Sequence, residues 1–281
     1  MIKIFVVGCP RSGTTLVQKL LGARDDVYTC KETHYFQKIR RKGKWKALDY
    51  LMLSKNNVVD AFEFICANNE LLGEYDPCQV GSLRSAALFL DEVMTSEAQS
   101  RRKVAWVEKT PPHVFDIGWI RRHIPTAKFV HVLRDGRDVV ASMVDAARRF
   151  PQATAWRRYA SLEMAIEEYN RCLRESLKYH RSQGHVFVRY EHILDDVERV
   201  CHQLYRSLGL DGEMVDLNFD GIDGQIVRSD EGWKSNWRGE IRDTRLVKFN
   251  RIFSDEQRSL IVSSLNAPPS RAARGVRTDW I

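Results

Sequence analysis

Phe5-Val-Val-Gly-Cys-Pro-Arg-Ser-Gly-Thr-Thr-Leu-Val17 decides the fold of this 281-residue chain. Residues 2–7 form an apolar run that stops at Gly8. Gly8 and Gly13 bracket four residues, Thr14 and Thr15 follow, and Leu16, Leu20 and Leu21 recur at helical spacing. That order predicts a buried strand, a tight glycine turn and a helix N-terminus. A turn of this kind aims successive backbone N–H groups at one point, and the helix dipole favours an anion there. The stretch is a candidate phosphate cradle. An ordinary strand–turn–helix corner, with glycines serving geometry alone, is the alternative.

The cradle resembles the nucleotide-triphosphate P-loop, but Thr14 stands where that loop has its lysine. A different cation, Arg11, sits inside the turn. Outward from this unit, apolar runs at 27–30, 104–107, 128–133 and 185–190 read as further strands. Helical spacing at 58–68, 82–100, 113–123, 153–181, 194–208 and 255–265 fills the intervals, and residues 45–55 share it. The last of these opens on a capping box, Ser254 to Gln257. Alternation of this kind predicts an α/β fold with a parallel sheet of about four to five strands flanked by helices. The expected organisation is one domain over 1–281, with a helical insert at 37–102 and an irregular cap at 211–281. Ligands of such sheets bind beyond the carboxyl ends of the strands. The polar clusters at 8–15, 31–36, 108–112 and 134–142 all follow strands directly.

Composition narrows the partners. A net charge of +7 favours an anionic one without choosing among nucleotide, acceptor, nucleic acid and membrane surface. No stretch is long and apolar enough for a membrane span. No signal peptide is visible ahead of the first apolar run, and the six scattered cysteines form no CxxC pair. Free thiols in the cytoplasm, and no bound metal, are the expectation.

Arg134 leaves the end of the 128–133 run, and Ser142, eight residues on, falls on the second turn of the following helix. A guanidinium with a hydroxyl grips a phosphate dianion. Taken together, the motifs resemble the sulfotransferases that use 3′-phosphoadenosine-5′-phosphosulfate (PAPS). Cys9-Pro-Arg-Ser-Gly-Thr-Thr15 is similar to their 5′-phosphosulfate loop, and Leu133-Arg-Asp-Gly-Arg-Asp-Val-Val-Ala-Ser142 to their 3′-phosphate motif. Phe187-Val-Arg-Tyr-Glu-His-Ile-Leu194 resembles a strand–helix joint whose tyrosine, here Tyr190, lies by the adenine. Lys31-Glu-Thr-His-Tyr-Phe36 and Val107-Glu-Lys-Thr-Pro111 resemble stretches of the heparan sulfate enzymes that hold the catalytic glutamate and a lysine near the sulfuryl group. The tyrosylprotein and bacterial enzymes share the arginine at position 11.

The resemblance implies a P-loop-like three-layer sandwich and sulfuryl transfer to a hydroxyl or amine, releasing adenosine 3′,5′-bisphosphate. It casts Arg11, Ser12, Gly13, Thr14, Thr15, Arg134, Ser142 and Tyr190 as the nucleotide site, and Glu32, His34, Lys109 and Arg11 as the catalytic groups. Glu32 is the first candidate for the base and His34 the second. An extended 30–34 would point both to one side. Region 225–245, with Arg228, Ser229, Trp233, Lys234, Trp237 and Arg238, is the candidate to complete the phosphate site. The acceptor is a small molecule, glycan or peptide. Lys38, Arg40, Arg41, Lys42, Lys44 and Lys46 suit an anionic one, or else form a solvated face. A P-loop small-molecule kinase is the competing enzyme, though the loop lysine and a clear acidic Mg²⁺ partner are missing. A nucleic-acid-binding module is the competing non-enzyme, without a recognised motif.

Overall fold

The computed structural model describes residues 1–39, 55–210, 222–228, 231, 243–267 and 281. Among them, five strands form one parallel sheet: β1 Ile2–Gly8, β2 Val27–Thr29, β3 Ala105–Lys109, β4 Ala127–Leu133 and β5 His185–Arg189. The strand order is β2-β3-β1-β4-β5. β1 lies at the centre, with Val6 beside Lys109 of β3 and Gly8 beside Val132 of β4. The cradle after β1, the Glu-Lys-Thr stretch of β3 and Arg134 after β4 therefore emerge next to one another. This is where the strand order reverses, the usual ligand crevice of an open α/β sheet.

Alternation along β1 builds a core on each face. Ile4 and Val6 pack under Leu16, Val17 and Leu20 of α1 (Thr14–Gly22) and under Val200 and Leu204 of α10 (Val197–Leu208). Phe5 and Val7 face α4 (Leu83–Ser100), α5 (Ile117–His123), α6 (Gly136–Arg149) and α8 (Leu162–Leu177). Phe5 meets Trp106 edge-on at 5.2 Å and stacks on Phe129 at 5.5 Å, tying the three central strands on that face. Strands buried on both faces read as continuous apolar runs, which is why the sequence marks them clearly.

Several boundaries differ from expectation. β3 runs on through Glu108 and Lys109, so those residues belong to the strand. Tyr190 opens α9 (Tyr190–Asp195) instead of closing β5. The helix expected at 194–208 is divided at Asp196, whose side chain accepts from Arg199 N at 3.0 Å and starts α10. Region 153–181 begins with a short α7 (Thr154–Arg157) and a 3₁₀ turn before α8, which Ser161 caps. A 3₁₀ turn, Pro111–Phe115, also precedes α5 within the span expected to be one helix. Part of the expected irregular cap is helical, as α11 (Ile222–Ile226), α12 (Val247–Ile252) and α13 (Asp255–Ser264). The capping box at Ser254 and Gln257 is present. The insert contains α2 (Tyr35–Ile39), α3 (Lys55–Asn68) and α4. Arg40, Arg41, Lys42, Lys44, Lys46, Ser229, Trp233, Lys234, Trp237 and Arg238 lie outside the described residues.

Candidate active site

A cavity of about 760 Å³ opens at the carboxyl ends of the central strands, lined in part by Arg11, Thr14, Glu32, Arg134, Ser142 and Tyr190. Its floor is the turn after β1. Gly8 has φ 153, and a Cβ there would stand 2.7 Å from Val132 O, so the turn closes against β4 only without a side chain. Gly13 has φ 101, and a Cβ on it would lie 2.3 Å from the Tyr190 ring. No side chain caps α1 at Gly13. The first amides of a helix lack acceptors within it, so this end of α1 suits an anion.

Two arginines flank the floor. Arg11, at φ 73, donates from Nε to Ser142 Oγ at 3.0 Å and lies 5.6 Å from the Trp156 ring. Burial, then the neighbouring charge of Arg134, pull its guanidinium down to about 10. Arg134 stacks over Tyr190 at 4.2 Å and approaches Asp138 at 3.5 Å. Its Nε is buried with no hydrogen-bond partner among the described residues. Burial raises Asp138 above the ordinary carboxylate range despite that guanidinium. Tyr190 thus touches both the cradle glycine and the second arginine, joining β5 to β1 and β4. A cradle that only glycine fits, an orphaned guanidinium donor and an aromatic wall form a suitable donor set for a nucleotide with two phosphate positions.

On the β3 side, Lys109 is fully buried. Its ammonium binds Glu32 Oε1 and lies 3.3 Å from Thr15 Oγ1. Glu32 Oε2 stands 3.1 Å from His34 Nε2, and His34 Nδ1 pairs with Gln37 Oε1 at 2.9 Å. Glu32 and His34 do meet, but not by regular extension, because His34 is left-handed at φ 49. Lys109 links the carboxylate to the cradle threonine, so the two halves of the site are continuous.

Ser12 falls elsewhere: its hydroxyl is buried beneath the turn, near Cys9 and Tyr169, and does not line the main cavity. The structure adds lining residues that the sequence did not single out. Trp156, Arg158 and Tyr159 come from the segment after α6, and Glu168 and Arg171 from α8. Buried Glu168 accepts from Arg158 Nη2 at 3.1 Å and from Arg171 Nη2 at 2.8 Å. Arg171 covers Phe115 at 4.1 Å. The only sequence signal for this wall was the Trp-Arg-Arg-Tyr run at 156–159, which carries no recognised spacing. Arg228, from the region expected to complete the phosphate site, does line the cavity and pairs with Glu231 at 3.3 Å.

Residues 3–214 match the sequence profile of the Sulfotransferase family. The chain belongs to that family. Protein-tyrosine sulfotransferase 1 of Danio rerio is 26% identical to this chain over 235 residues, which cover 79% of the chain and 57% of that protein. An uncharacterized protein of Aquifex aeolicus (strain VF5) is 33% identical over 140 residues, covering 50% of the chain and 16% of that protein. The chain thus spans less than two thirds of the length of these curated relatives. Among solved structures, mouse sulfotransferase SULT7A1 complexed with PAP superposes with a TM-score of 0.52 at 11% identity, over 93% of this chain and 82% of that one. The sulfotransferase domain from the curacin biosynthetic pathway gives 0.50 at 14% identity, over 94% and 98%. At these identities the likeness establishes the fold. Among the described residues, no helix of the chain is long and apolar enough to cross a membrane.

Proposed function

We propose that the protein transfers a sulfuryl group from PAPS to an acceptor hydroxyl or amine. The observation that carries this reading is the contact of Arg11 Nε with Ser142 Oγ at 3.0 Å. It brings the two phosphate motifs to one cavity, which Glu32 also lines with Lys109 buried behind it. The family match supports sulfuryl over phosphoryl transfer and displaces the kinase and nucleic-acid readings. The PAP named with the mouse structure agrees with a bisphosphate product.

In this scheme the α1 N-terminus, Arg11, Thr14 and Thr15 hold the 5′-phosphosulfate. Arg134 and Ser142 hold the 3′-phosphate, and Tyr190 lies along the adenine. As the acceptor oxygen bonds to sulfur, the bond from sulfur to the 5′-phosphate oxygen breaks. Charge grows on the departing phosphate, where fixed cations and amides lower the barrier most. Lys109, between Glu32 and Thr15, is placed to follow that charge. Glu32 takes the acceptor proton; each oxygen of a carboxylate has lone pairs beyond the one engaged by Lys109 or His34. The positive field of Arg11, Lys109 and the helix end serves without a metal in this scheme.

The acceptor we favour is a small molecule, glycan or peptide carrying negative charge, because Arg158, Arg171 and Arg228 line the cavity beyond the nucleotide groups. The compartment that fits is the cytoplasm, where the six cysteines stay as thiols. Calorimetry with adenosine 3′,5′-bisphosphate, followed by a mass-spectrometric acceptor screen with PAPS, tests the reading. Saturable binding and acceptors heavier by one sulfuryl group are expected. Absence of nucleotide binding would remove the proposal.

A further inference from the structure

Glu108 is fully buried on β3 beside Lys109, and the transfer scheme above gives it no task. Its Oε1 accepts from Thr33 Oγ1 at 2.7 Å and from Thr110 Oγ1 at 2.6 Å, and its Oε2 pairs with His113 Nδ1 at 3.0 Å. A hydroxyl has one proton to give. Because both threonines give theirs to Glu108, their lone pairs are left to accept from elsewhere. Thr110 Oγ1 accepts from His34 N at 3.2 Å, and Thr33 Oγ1 accepts from Tyr35 N at 3.3 Å. The carboxylate thereby sets the polarity of two hydroxyls, and each hydroxyl grips a backbone amide in or next to the segment that bears Glu32 and His34.

The start of that segment is held separately, by Gln18 Nε2 donating to Cys30 O and Lys31 N donating to Asn69 Oδ1, each at 2.7 Å. Residues 30–34 form neither helix nor strand, and His34 is held left-handed at φ 49. A non-glycine residue keeps such a conformation when its surroundings over-determine it. Here the surroundings are a buried network rooted in the strand that also carries Lys109. Burial would raise Glu108, but the charge and hydrogen bond of His113, with the hydroxyls of Thr110 and Thr33, hold it below the ordinary carboxylate range. The acceptor in the network therefore stays ionised at neutral pH.

We propose that Glu108 is a positioning residue for the transfer: through Thr33 and Thr110 it fixes Glu32 and His34 in register with Lys109. The inference rests on the reading of Glu32 as the base. A base displaced by about 1 Å loses about 100-fold in rate, so the effect belongs in kcat and not in nucleotide affinity.

The test uses Glu108→Gln, Glu108→Leu and Thr110→Val. Both threonine hydroxyls donate to one oxygen, so a glutamine oxygen can accept both, and Glu108→Gln should preserve the network. Glu108→Leu abolishes it. Thr110→Val cuts only the link to His34 and remains informative if Glu108→Leu does not fold. One readout is PAPS-dependent sulfation of phenol, whose hydroxyl has a proton for Glu32 to take, followed as release of adenosine 3′,5′-bisphosphate. The other is amide hydrogen exchange at His34, with Val107 of β3 as the internal reference. Glu108→Leu and Thr110→Val should lower kcat by about 100-fold, leave the affinity for adenosine 3′,5′-bisphosphate unchanged and speed exchange at His34, with Tyr35 also affected in Glu108→Leu and Val107 unaffected in both. Glu108→Gln should restore both readouts. Wild-type kcat in Thr110→Val, or unaltered His34 exchange, would overturn the proposal. Should the wild-type protein sulfate no phenol, the functional reading fails in that assay, while the exchange measurement still decides whether the network holds the segment.

Discussion

Arg134→Ala offers the sharpest measure of how the two arginines divide the nucleotide. The Arg134 side chain is 13% exposed, and its Nε is buried with no hydrogen-bond partner among the described residues. The Asp138 carboxylate is 3.5 Å away, too far for a strong charge-assisted bond. The guanidinium is thus already desolvated but under-used, and a phosphate that meets it gains contact at little further cost. A hydrogen bond to a charged group contributes about 1.5–3 kcal/mol. Two from one guanidinium, offset by what Asp138 takes, leave about 3 kcal/mol, or about 150-fold in affinity. Calorimetry should show that loss for adenosine 3′,5′-bisphosphate. Adenosine 5′-phosphate, lacking the 3′ group, should lose far less. Because the truncation also leaves the Asp138 carboxylate facing the site, Arg134→Ala combined with Asp138→Asn separates lost attraction from added repulsion. Equal losses for both nucleotides in both variants would refute the assignment of Arg134 to the 3′-phosphate.

Three further outcomes follow from the same geometry. Glu32→Gln retains the shape between Lys109 and His34 but not the basicity, so kcat should fall by about two to four orders of magnitude with nucleotide affinity nearly unchanged; normal turnover would place the base elsewhere. Gly13→Ala adds a Cβ 2.3 Å from the Tyr190 ring at φ 101, so the ring must move, and calorimetry should show weakened binding of adenosine 3′,5′-bisphosphate. Burial depresses His131 well below its ordinary range, and burial with Arg121 brings His185 to about 4. The two rings share a 2.9 Å hydrogen bond, and the unfolded chain binds protons here more readily than the native one. Stability is therefore present above about pH 6.5 and declines as pH falls toward 4; urea midpoints across that range should fall, and fall less in His185→Gln.

Most of the scaffold was legible because its signals are local. β1 and β4 are largely buried and read as mainly apolar runs, interrupted by Lys3 in β1 and by Lys128 and His131 in β4. Boundaries failed where a single side chain decides them. Asp196 divides one expected helix into two by capping the second. Glu108 and Lys109 look like surface charges after a strand, yet they are strand residues with no exposure. Charge alone says nothing about whether partners wait across the sheet. Ser12 shows the converse: it lies inside the cradle motif, but the backbone turn directs its hydroxyl beneath the floor.

By itself, the sequence determined the strand–turn–helix cradle, the alternation of strands and helices, and the residues that carry charge at strand ends. Those features depend on neighbours a few positions apart, through backbone sterics and burial periodicity. Tertiary structure alone decided that Arg11 meets Ser142 across 131 residues, that Lys109 reaches both Glu32 and Thr15, and that Glu168 anchors two arginines on the cavity wall. The physical reason is strand order. With β1 between β3 and β4, their carboxyl ends are adjacent, and that order follows from packing helices over both faces of the sheet.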